Sequence, residues 1–248
     1  MKDVFFNDNE PYITKWLGSL FPEATIDGRG IQEIQASELV RFRRLHFFAG
    51  IGGWEVALEL SNWGGREVWT ASCPCQPLSR AGRRRCEKDE RHLWPEFYRL
   101  ISECRPRTIL GEQVDGKDGL EWLDGVALDL EELGYAFAAT SMSAACVNAP
   151  HVRQRIYWVA NACGARRERL EPDERTSCGA PQALAIHCDS FARARSAVDG
   201  DVGNLLLADG LSVAVERDAI KGYGNSIVPE VAAEFIKAFM EAEKEMVS

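Results

Sequence analysis

An apolar run that leads into a glycine-rich turn constrains the fold of this chain more than any other feature. Residues 45–49 read Leu-His-Phe-Phe-Ala, residues 50–53 read Gly-Ile-Gly-Gly, and an apolar stretch continues from Trp54 to Leu60. This pattern predicts a buried central strand of a parallel sheet, then a turn, then a helix. A turn of small residues at a helix N-terminus lets backbone N–H groups approach a ligand closely.

Strand and helix patterns alternate along the rest of the chain. We predict strands at 3–7, 25–26, 67–72, 107–110, 135–140 and 155–160, and helices at 11–20, 93–103, 120–133 and 229–243. The last helix is expected to pack on the sheet, because Val231, Phe235, Ile236 and Phe239 share one face. This alternation is typical of a doubly wound α/β sheet. Residues 161–203 lack periodicity and are predicted to be a loop or a loosely folded insert.

Composition sets the class of protein. A chain of 248 residues with 46% hydrophobic and 27% charged residues suits one α/β domain with a modest appendage. It has no apolar run of membrane-spanning length, no signal-peptide pattern, and no cysteine framework, so we expect a reducing cytoplasm. The net charge of −9 argues mildly against nucleic acid. Arginine clusters at 41–44, 83–85 and 166–169 are either solvated faces or local phosphate contacts.

Five short motifs follow one another in a fixed order. They are residues 47–53, Pro74-Cys75-Gln76, Glu112-Gln113-Val114, Arg153-Gln154-Arg155 and Gly224-Asn225-Ser226. This set resembles the DNA cytosine-5 methyltransferases over most of the chain. The resemblance implies a class I S-adenosylmethionine-dependent methyltransferase sheet (Rossmann-like), of a small, phage-like type with rearranged motif order. It also implies S-adenosyl-L-methionine as the cofactor and double-stranded DNA as the partner.

The same resemblance implies roles on the substrate side. C5 of cytosine becomes nucleophilic after a thiolate adds to C6, and Cys75 is the predicted thiolate, with a pKa lowered by nearby donors or positive charge. Cys73 is the rival, although it should point to the opposite face. Glu112 would protonate or hydrogen-bond N3, and Arg153 or Arg155 would hold O2, unless both arginines contact phosphate. The remaining predicted substrate-binding residues are Pro74, Gln76, Ser79, Arg83 and Arg84. A target inside a duplex requires base flipping.

Two substitutions depart from the pattern of the family. Gln113 stands where the family has Asn, which predicts reduced precision rather than loss of activity. His151 stands where the family has Gln, which weakens the match of the arginine motif.

On the cofactor side the order of the motifs departs from the family. The family places an acidic ribose-binding strand and an adenine-binding Asp after the glycine-rich helix, where this chain has no room for them. Residues 7–12, Asn-Asp-Asn-Glu-Pro-Tyr, and the later Asp27 look like these segments. We therefore expect residues 1–44 to be a transposed cofactor-binding block, the alternative being an unrelated cap. If the sheet order is kept, the helix after Gly53 joins a different pair of strands, and right-handed crossover requires it on the opposite face.

The resemblance then assigns the cofactor contacts. Asp8 would hold the ribose hydroxyls, with Glu10 as a substitute, and Asp27 would accept from the adenine amino group. Phe48, or else Phe47, would line the pocket against the adenosine. Asn225 and Ser226 would act as a helix cap and a cofactor contact together. The full predicted set is Phe48, Ala49, Gly50, Gly52, Gly53, Asp8, Glu10, Asp27, Asn225 and Ser226.

The predicted organisation is a catalytic domain at 1–160, a reduced target-recognition insert at 161–203, and a return to the catalytic domain at 204–248. No metal is expected, because Cys163, Cys178, His187 and Cys188 lack the spacing of a zinc site. Three other functions stay open: cytosine modification or deamination by the same Cys and Glu chemistry, RNA cytosine methylation, and a non-catalytic DNA-binding relative. We expect a monomer in the cytoplasm of a bacterial or phage-infected cell, with a cognate restriction nuclease as a possible partner.

Overall fold

A computed structural model describes residues 2–74, 93–149, 153–162 and 226–247. Its strands are β1 Val4–Asn7, β2 Thr25–Asp27, β3 Arg44–Phe47, β4 Val68–Ala71, β5 Thr108–Val114, β6 Tyr135–Ser143 and β7 Gln154–Ala162. Its α-helices are α1 Pro11–Leu20, α2 Ala36–Leu39, α3 Gly53–Leu60, α4 Trp94–Cys104, α5 Lys117–Glu132 and α6 Pro229–Val247. Short 3-10 helices occur at Ile31–Glu33 and Ala144–Val147. None of the helices in these ranges has the length and apolar character needed to cross a bilayer.

The strands form one sheet in the order β2-β1-β3-β4-β5-β7-β6. The pairs from β2 to β5 are parallel, whereas β7 is antiparallel to both β5 and β6. Helices cover both faces of this sheet. The described part of the chain thus confirms the predicted doubly wound α/β fold of the class I methyltransferase type.

Alternate residues of each strand face two separate layers of helices. Phe47, Trp69 and Trp158 belong to a core shared with α2, α4 and α5. On the other face, Phe6 packs with α1, and Leu110 packs with α3 and α6. The predicted apolar face of the last helix is confirmed, because Val231, Phe235, Ile236 and Phe239 are all buried in this second layer.

The N-terminal strands occupy the sheet beside the glycine-rich strand. β1 pairs in parallel with β3, from Val4 opposite Arg44 to Asn7 opposite Phe47, and β2 lies outside β1. As a result α3 now connects β3 to its other neighbour, β4. The N-terminal strands are therefore part of the same sheet as the glycine-rich strand.

The crossover through α3 differs in hand from the others. The connections through α3 and α4 step in the same direction along the sheet, yet the two helices lie on opposite faces. The connections through α1, α2 and α5 have the same hand as that through α4. About 98% of such crossovers are right-handed, so α3 makes the rare left-handed one. α3 lies on the same face of the sheet as α1 and α6, and its connection is an exception to the right-handed crossover rule.

Buried polar contacts explain why α3 remains on this face. Glu55, in the first turn of α3, is fully buried, and its two carboxylate oxygens accept from Arg44 Nη1 at 2.5 Å and bond to His46 Nε2 at 3.0 Å. Trp54 donates from Nε1 to Ser72 Oγ at 3.1 Å. Moving α3 to the other face would leave these polar groups buried without partners, which costs more than a rare connection.

Two boundaries near the candidate site differ from those predicted. β5 runs on to Val114 rather than ending at residue 110, because β7 continues the ladder as far as Arg155. Glu112 consequently lies inside a strand rather than after one. β7 likewise includes residues 161–162, which the sequence pattern assigns to the insert, and the rest of that insert lies outside the described residues.

Candidate functional site

A cavity of about 250 Å³ opens at the carboxyl ends of β1, β2, β3 and β4. This is the edge at which open α/β sheets bind ligands, and the volume is near the lower end of small-molecule sites, roughly 300 Å³. Its described lining consists of Asn7, Asp8, Asn9, Glu10, Tyr12, Ile13, Arg29, Gly30, Ile31, Gln32, Phe48, Gly50, Ser72, Pro74 and Leu93. Most of these residues belong to the N-terminal block, so that block and the glycine-rich turn share one cavity.

Three residues at the glycine-rich turn have a left-handed backbone conformation. Phe48, Gly50 and Gly52 have φ values of 52°, 52° and 82°. For a bulky residue such as Phe48 this conformation costs about 1–2 kcal/mol, which proteins tolerate mainly at functional sites. Phe48 lines the cavity, whereas Phe47 is buried in the core below. Gly50 faces open space, since a Cβ atom there would meet nothing within 4 Å.

The Asp8 carboxylate joins the N-terminal block to this turn. It accepts from the Gly50 N–H at 3.0 Å and from the Glu10 N–H at 3.1 Å. Burial raises the pKa of Asp8, against the two backbone hydrogen bonds. Glu10 also lines the cavity, as the N-cap residue of α1. Two carboxylates therefore meet beside a backbone turn, an arrangement suited to a ligand with hydroxyl groups.

Asp27 is placed differently from the prediction. It does not appear among the described residues that line the cavity, and its carboxylate instead binds Arg29, whose Nη2 lies 2.6 Å from Oδ2. Burial alone would raise the pKa of Asp27, but the hydrogen bonds from Arg29 outweigh it, and the pKa is lowered. Arg29 takes the place on the cavity wall. Sequence reasoning missed it, although its position two residues after an acid in a glycine-rich turn was a signal.

Four other predicted cofactor residues pack away from the cavity. Ala49 is buried in the core with α1. A Cβ on Gly52 would lie 2.4 Å from the Phe21 ring, and one on Gly53 would lie 2.8 Å from Ile227. These glycines allow close packing of α3 against Phe21 and Ile227. Ser226 accepts through its carbonyl from Arg153 Nη2 at 2.9 Å, and α6 begins at Pro229, so Ser226 is not its N-cap.

A second group of predicted residues lies on β5 and β7. Glu112 is 7% exposed, and its Oε1 lies 2.8 Å from Arg155 Nε. Burial raises the pKa of Glu112, against the charges of Arg155 and Arg153. The structure thus brings all three predicted residues together. A buried carboxyl with a shifted pKa, beside charged partners, is a candidate for proton transfer.

Gln113 connects this group to the cavity. Its Nε2 donates to the Cys73 carbonyl at 3.2 Å, and its Oε1 accepts from the Val114 N–H at 2.9 Å. Cys73 itself is buried in the core. The next residue, Pro74, lines the cavity. Residues 73 and 74 therefore link the end of β5 to the cavity wall.

Several predicted residues lie outside the described ranges. They are Cys75, Gln76, Ser79, Arg83, Arg84 and Asn225.

Within the described ranges Arg44 is not part of a solvated basic face, because its guanidinium is bonded to Glu55 and to the Gly64 carbonyl.

The described cavity fits the S-adenosylmethionine that the resemblance implies. Asp8 and Glu10 offer carboxylate acceptors of the kind that ribose hydroxyls need, apolar walls from Phe48, Ile31 and Leu93 suit a purine, and the open side of Gly50 leaves room beside the turn. These residues would hold the cofactor, which supplies an electrophilic methyl group.

Comparisons with known proteins agree with this geometry. Residues 64–177 match the family described as C-5 cytosine-specific DNA methylase. Type II methyltransferase M.HhaI of Haemophilus parahaemolyticus is 25% identical over 167 residues, which cover 51% of this chain and 51% of that protein. M.DsaV of Dactylococcopsis salina is 34% identical over 97 residues, which cover 38% of this chain and 28% of that protein. Over residues 64–177, slightly less than half of its length, the chain is similar to the C-5 cytosine-specific DNA methylase family.

The extent of these matches is limited. The chain spans about half the length of M.HhaI and under a third of M.DsaV. Among solved structures, DNMT2 of Spodoptera frugiperda matches with a TM-score of 0.47 and 18% identity, over 70% of this chain and 45% of that one.

Proposed function

We propose that the protein transfers a methyl group from S-adenosylmethionine to C5 of cytosine in DNA. One observation carries this proposal. Pro74 lines the cavity, the Cys73 carbonyl is hydrogen-bonded to Gln113, and Gln113 is the neighbour of Glu112. Cys75 is the next residue after Pro74 in the sequence.

Cys75 is the proposed nucleophile. Its thiolate adds to C6 of cytosine, and the displaced electron pair makes C5 nucleophilic. C5 would then take the methyl group that S-adenosylmethionine supplies, with S-adenosylhomocysteine as the leaving group. Loss of the C5 proton to a base and elimination of the Cys75 thiolate restore the C5–C6 double bond. For this chemistry the base must leave the duplex, because C6 is not accessible within the stack.

Glu112 is the proposed acid at the Watson–Crick edge of the base. Protonation or strong hydrogen bonding at N3 draws electrons away from C6 and favours thiolate addition. Within the described ranges its side chain bonds to Arg155 through Oε1, which leaves Oε2 to reach the base. Burial raises the pKa of this carboxyl, against the charges of Arg155 and Arg153, which favours its role as an acid.

Arg155 and Arg153 are proposed to hold the O2 atom of the base. Arg155 is already oriented by Glu112 and by the Gln154 carbonyl, which Nη1 reaches at 2.8 Å. Arg153 is oriented by the Ser226 carbonyl. Fixed guanidinium donors stabilise negative charge on O2 as the thiolate adds, without a cost of reorganisation.

On the cofactor side, Asp8 and Glu10 are proposed to accept from the ribose hydroxyls, with Gly50 beside the methionine part. Residues 1–44 therefore act as the transposed cofactor-binding block. Residues 163–203 are proposed as a reduced target-recognition insert and 204–248 as a return to the catalytic domain. Double-stranded DNA is the proposed partner of a cytoplasmic monomer, paired with a restriction nuclease.

The direct test is product analysis. Purified protein is incubated with unmethylated DNA and S-adenosylmethionine, the DNA is digested, and its nucleosides are weighed by mass spectrometry. We expect 5-methylcytosine with the wild type and none with Cys75→Ser. Cys104→Ser is the matched control, because this thiol is half-buried and bonds to the Ala36 carbonyl, away from the site.

Other results would redirect the assignment. Deoxyuridine or a different modified base would keep the cysteine chemistry and overturn the methyl transfer. Methylation of RNA but not of DNA would overturn the substrate. Full activity of Cys75→Ser would overturn the nucleophile.

A further inference from the structure

Arg29 is the one guanidinium among the described residues that line the cavity. It is held in place by two carboxylates. Nε and Nη2 bind Asp27, with a shortest distance of 2.6 Å, and Nη2 also binds Glu38 at 3.0 Å. An arginine fixed along one edge keeps a defined orientation for its remaining donors.

The other edge of the guanidinium keeps its donors. Within the described part of the chain, Nη1 makes no hydrogen bond, so two N–H donors stay available beside the cavity. The backbone at this point is also fixed. The buried Asn7 side chain donates from Nδ2 to the Arg29 carbonyl at 2.9 Å and to the Asp27 carbonyl at 3.1 Å. The Arg29 side chain is 42% exposed, so its orientation depends on this fixed backbone and on the two carboxylates.

Adenine offers ring nitrogens that accept hydrogen bonds and an amino group that donates them. Arginine can only donate, so it can recognise the ring nitrogens. The Asp27 carboxylate, which would accept from the amino group, is already bound along Arg29 and is absent from the described lining. The cavity wall at this point therefore presents a donor to the purine rather than an acceptor.

We propose that Arg29 is a specificity-determining residue, which donates from Nη1 to a ring nitrogen of the adenine of S-adenosylmethionine. Asp27 is then a positioning residue that acts through Arg29. This inference rests on the proposed function, because it takes the cavity to be the adenosyl site. It changes the role predicted for Asp27 and assigns Arg29 a role that sequence reasoning did not.

Calorimetry with S-adenosylhomocysteine tests the proposal without any turnover. We expect Arg29→Ala to raise the Kd about 10- to 100-fold, the effect of losing one hydrogen bond from a charged donor. Arg29→Lys should recover little, because an ammonium lacks the planar fork. The matched control is Arg99→Ala, since Arg99 also pairs with two carboxylates, Glu96 and Glu103, on α4. That variant should bind as the wild type does.

Ligand analogues separate a direct contact from a structural role. The 1-deaza, 3-deaza and 7-deaza forms of S-adenosylhomocysteine each lack one ring nitrogen. We expect the wild type to lose affinity for one of them, and Arg29→Ala to bind that form as well as it binds the parent. An analogue without the adenine amino group should bind the wild type nearly as tightly as the parent does.

Three outcomes would overturn the inference. One is unchanged affinity in a folded Arg29→Ala variant, and another is the same deaza pattern in the variant and the wild type. The third is a loss of affinity confined to the analogue without the amino group, which would return the contact to Asp27. A wild type that binds no adenosyl ligand would instead overturn the proposed function itself.

Discussion

Two regions of the molecule each contain a buried glutamate, and the pKa shifts of these two glutamates are opposite. One region is α3 with the glycine-rich turn, and the other is β5 with β7. Glu55, below the cofactor cavity, pairs with Arg44 and His46 through both oxygens. Burial alone would raise the pKa of Glu55, but these partners outweigh burial and lower it. Glu112, on β5, pairs with Arg155 through one oxygen, and burial raises its pKa. Within the described chain each oxygen of Glu55 thus has an arginine or histidine partner, whereas for Glu112 only Oε1 has one.

The largest expected effect comes from Glu112→Gln. Gln keeps the size of the side chain but cannot supply a proton to N3, so we expect kcat to fall about 10²- to 10⁴-fold. The Kd for S-adenosylhomocysteine should not change, because Glu112 is not part of the described cavity lining. Single-turnover methylation and calorimetry measure the two quantities. Glu131→Gln, on the exposed side of α5, is the control. Wild-type turnover in Glu112→Gln would remove the proposed acid from the mechanism.

The elements of the fold could largely be predicted from the sequence, because their signals are local. α1 begins and ends where the spacing of its apolar residues indicates, and α6 starts at Pro229, since proline is well suited to the first turn of a helix. The length of β5 could not be predicted in this way. Its last four residues read as a turn, and they become a strand only because β7 pairs with them from more than 40 positions away.

The site was less predictable than the fold. Motif order pointed to Asp8, Phe48 and Gly50, and all three line the cavity. The pairing of Asp27 with Arg29 depends on how the turn after β2 folds, which residue types alone do not specify. The packing roles of Gly52 and Gly53 depend on Phe21 and Ile227, which approach from other elements.

A pair of glycine substitutions sharpens the comparison between the glycine-rich turn and β5. A Cβ on Gly111, beside Glu112, would lie 2.0 Å from the Trp158 ring, whereas a Cβ on Gly50 would meet nothing within 4 Å. We expect Gly111→Ala to lower the free energy of unfolding by about 1–3 kcal/mol through overpacking. Gly50→Ala should cost about 1–2 kcal/mol for its left-handed backbone, and it should also weaken cofactor binding.

Urea unfolding and calorimetry on the same samples separate these effects. Gly125→Ala is the control for this pair of variants, because this helical glycine has open space around it, and we expect a gain of roughly 0.5–1 kcal/mol. Wild-type cofactor affinity in Gly50→Ala would contradict the placement of the ligand against the turn.

The smallest expected effect is a dependence of stability on pH from the buried cluster below the cavity. Burial lowers the pKa of His46, against the hydrogen bond and charge of Glu55 and together with the charge of Arg44. A neutral His46 with its proton on Nε2 satisfies the cluster, since it donates to Glu55 and accepts at Nδ1 from the Thr70 hydroxyl at 2.8 Å. Protonating it would place a second cation beside Arg44 in the core.

The sign of the effect follows from these directions. Below pH 6.5 His46 binds a proton in the unfolded chain but not in the folded one, because its pKa is lowered by folding. The free energy of unfolding therefore falls as the pH is lowered from 6.5. The lowered pKa of Glu55 adds a further loss below about pH 4.5, the ordinary pKa of its carboxyl. At pH values well below both pKa values of His46, folded and unfolded, a tenfold difference in proton affinity lowers the free energy of unfolding by about 1.4 kcal/mol. Urea unfolding of the wild type and His46→Gln between pH 5 and 7.5 measures this contribution. A wild-type slope retained in His46→Gln would show that the acid sensitivity arises elsewhere, and the buried cluster would then contribute packing rather than a titrating group.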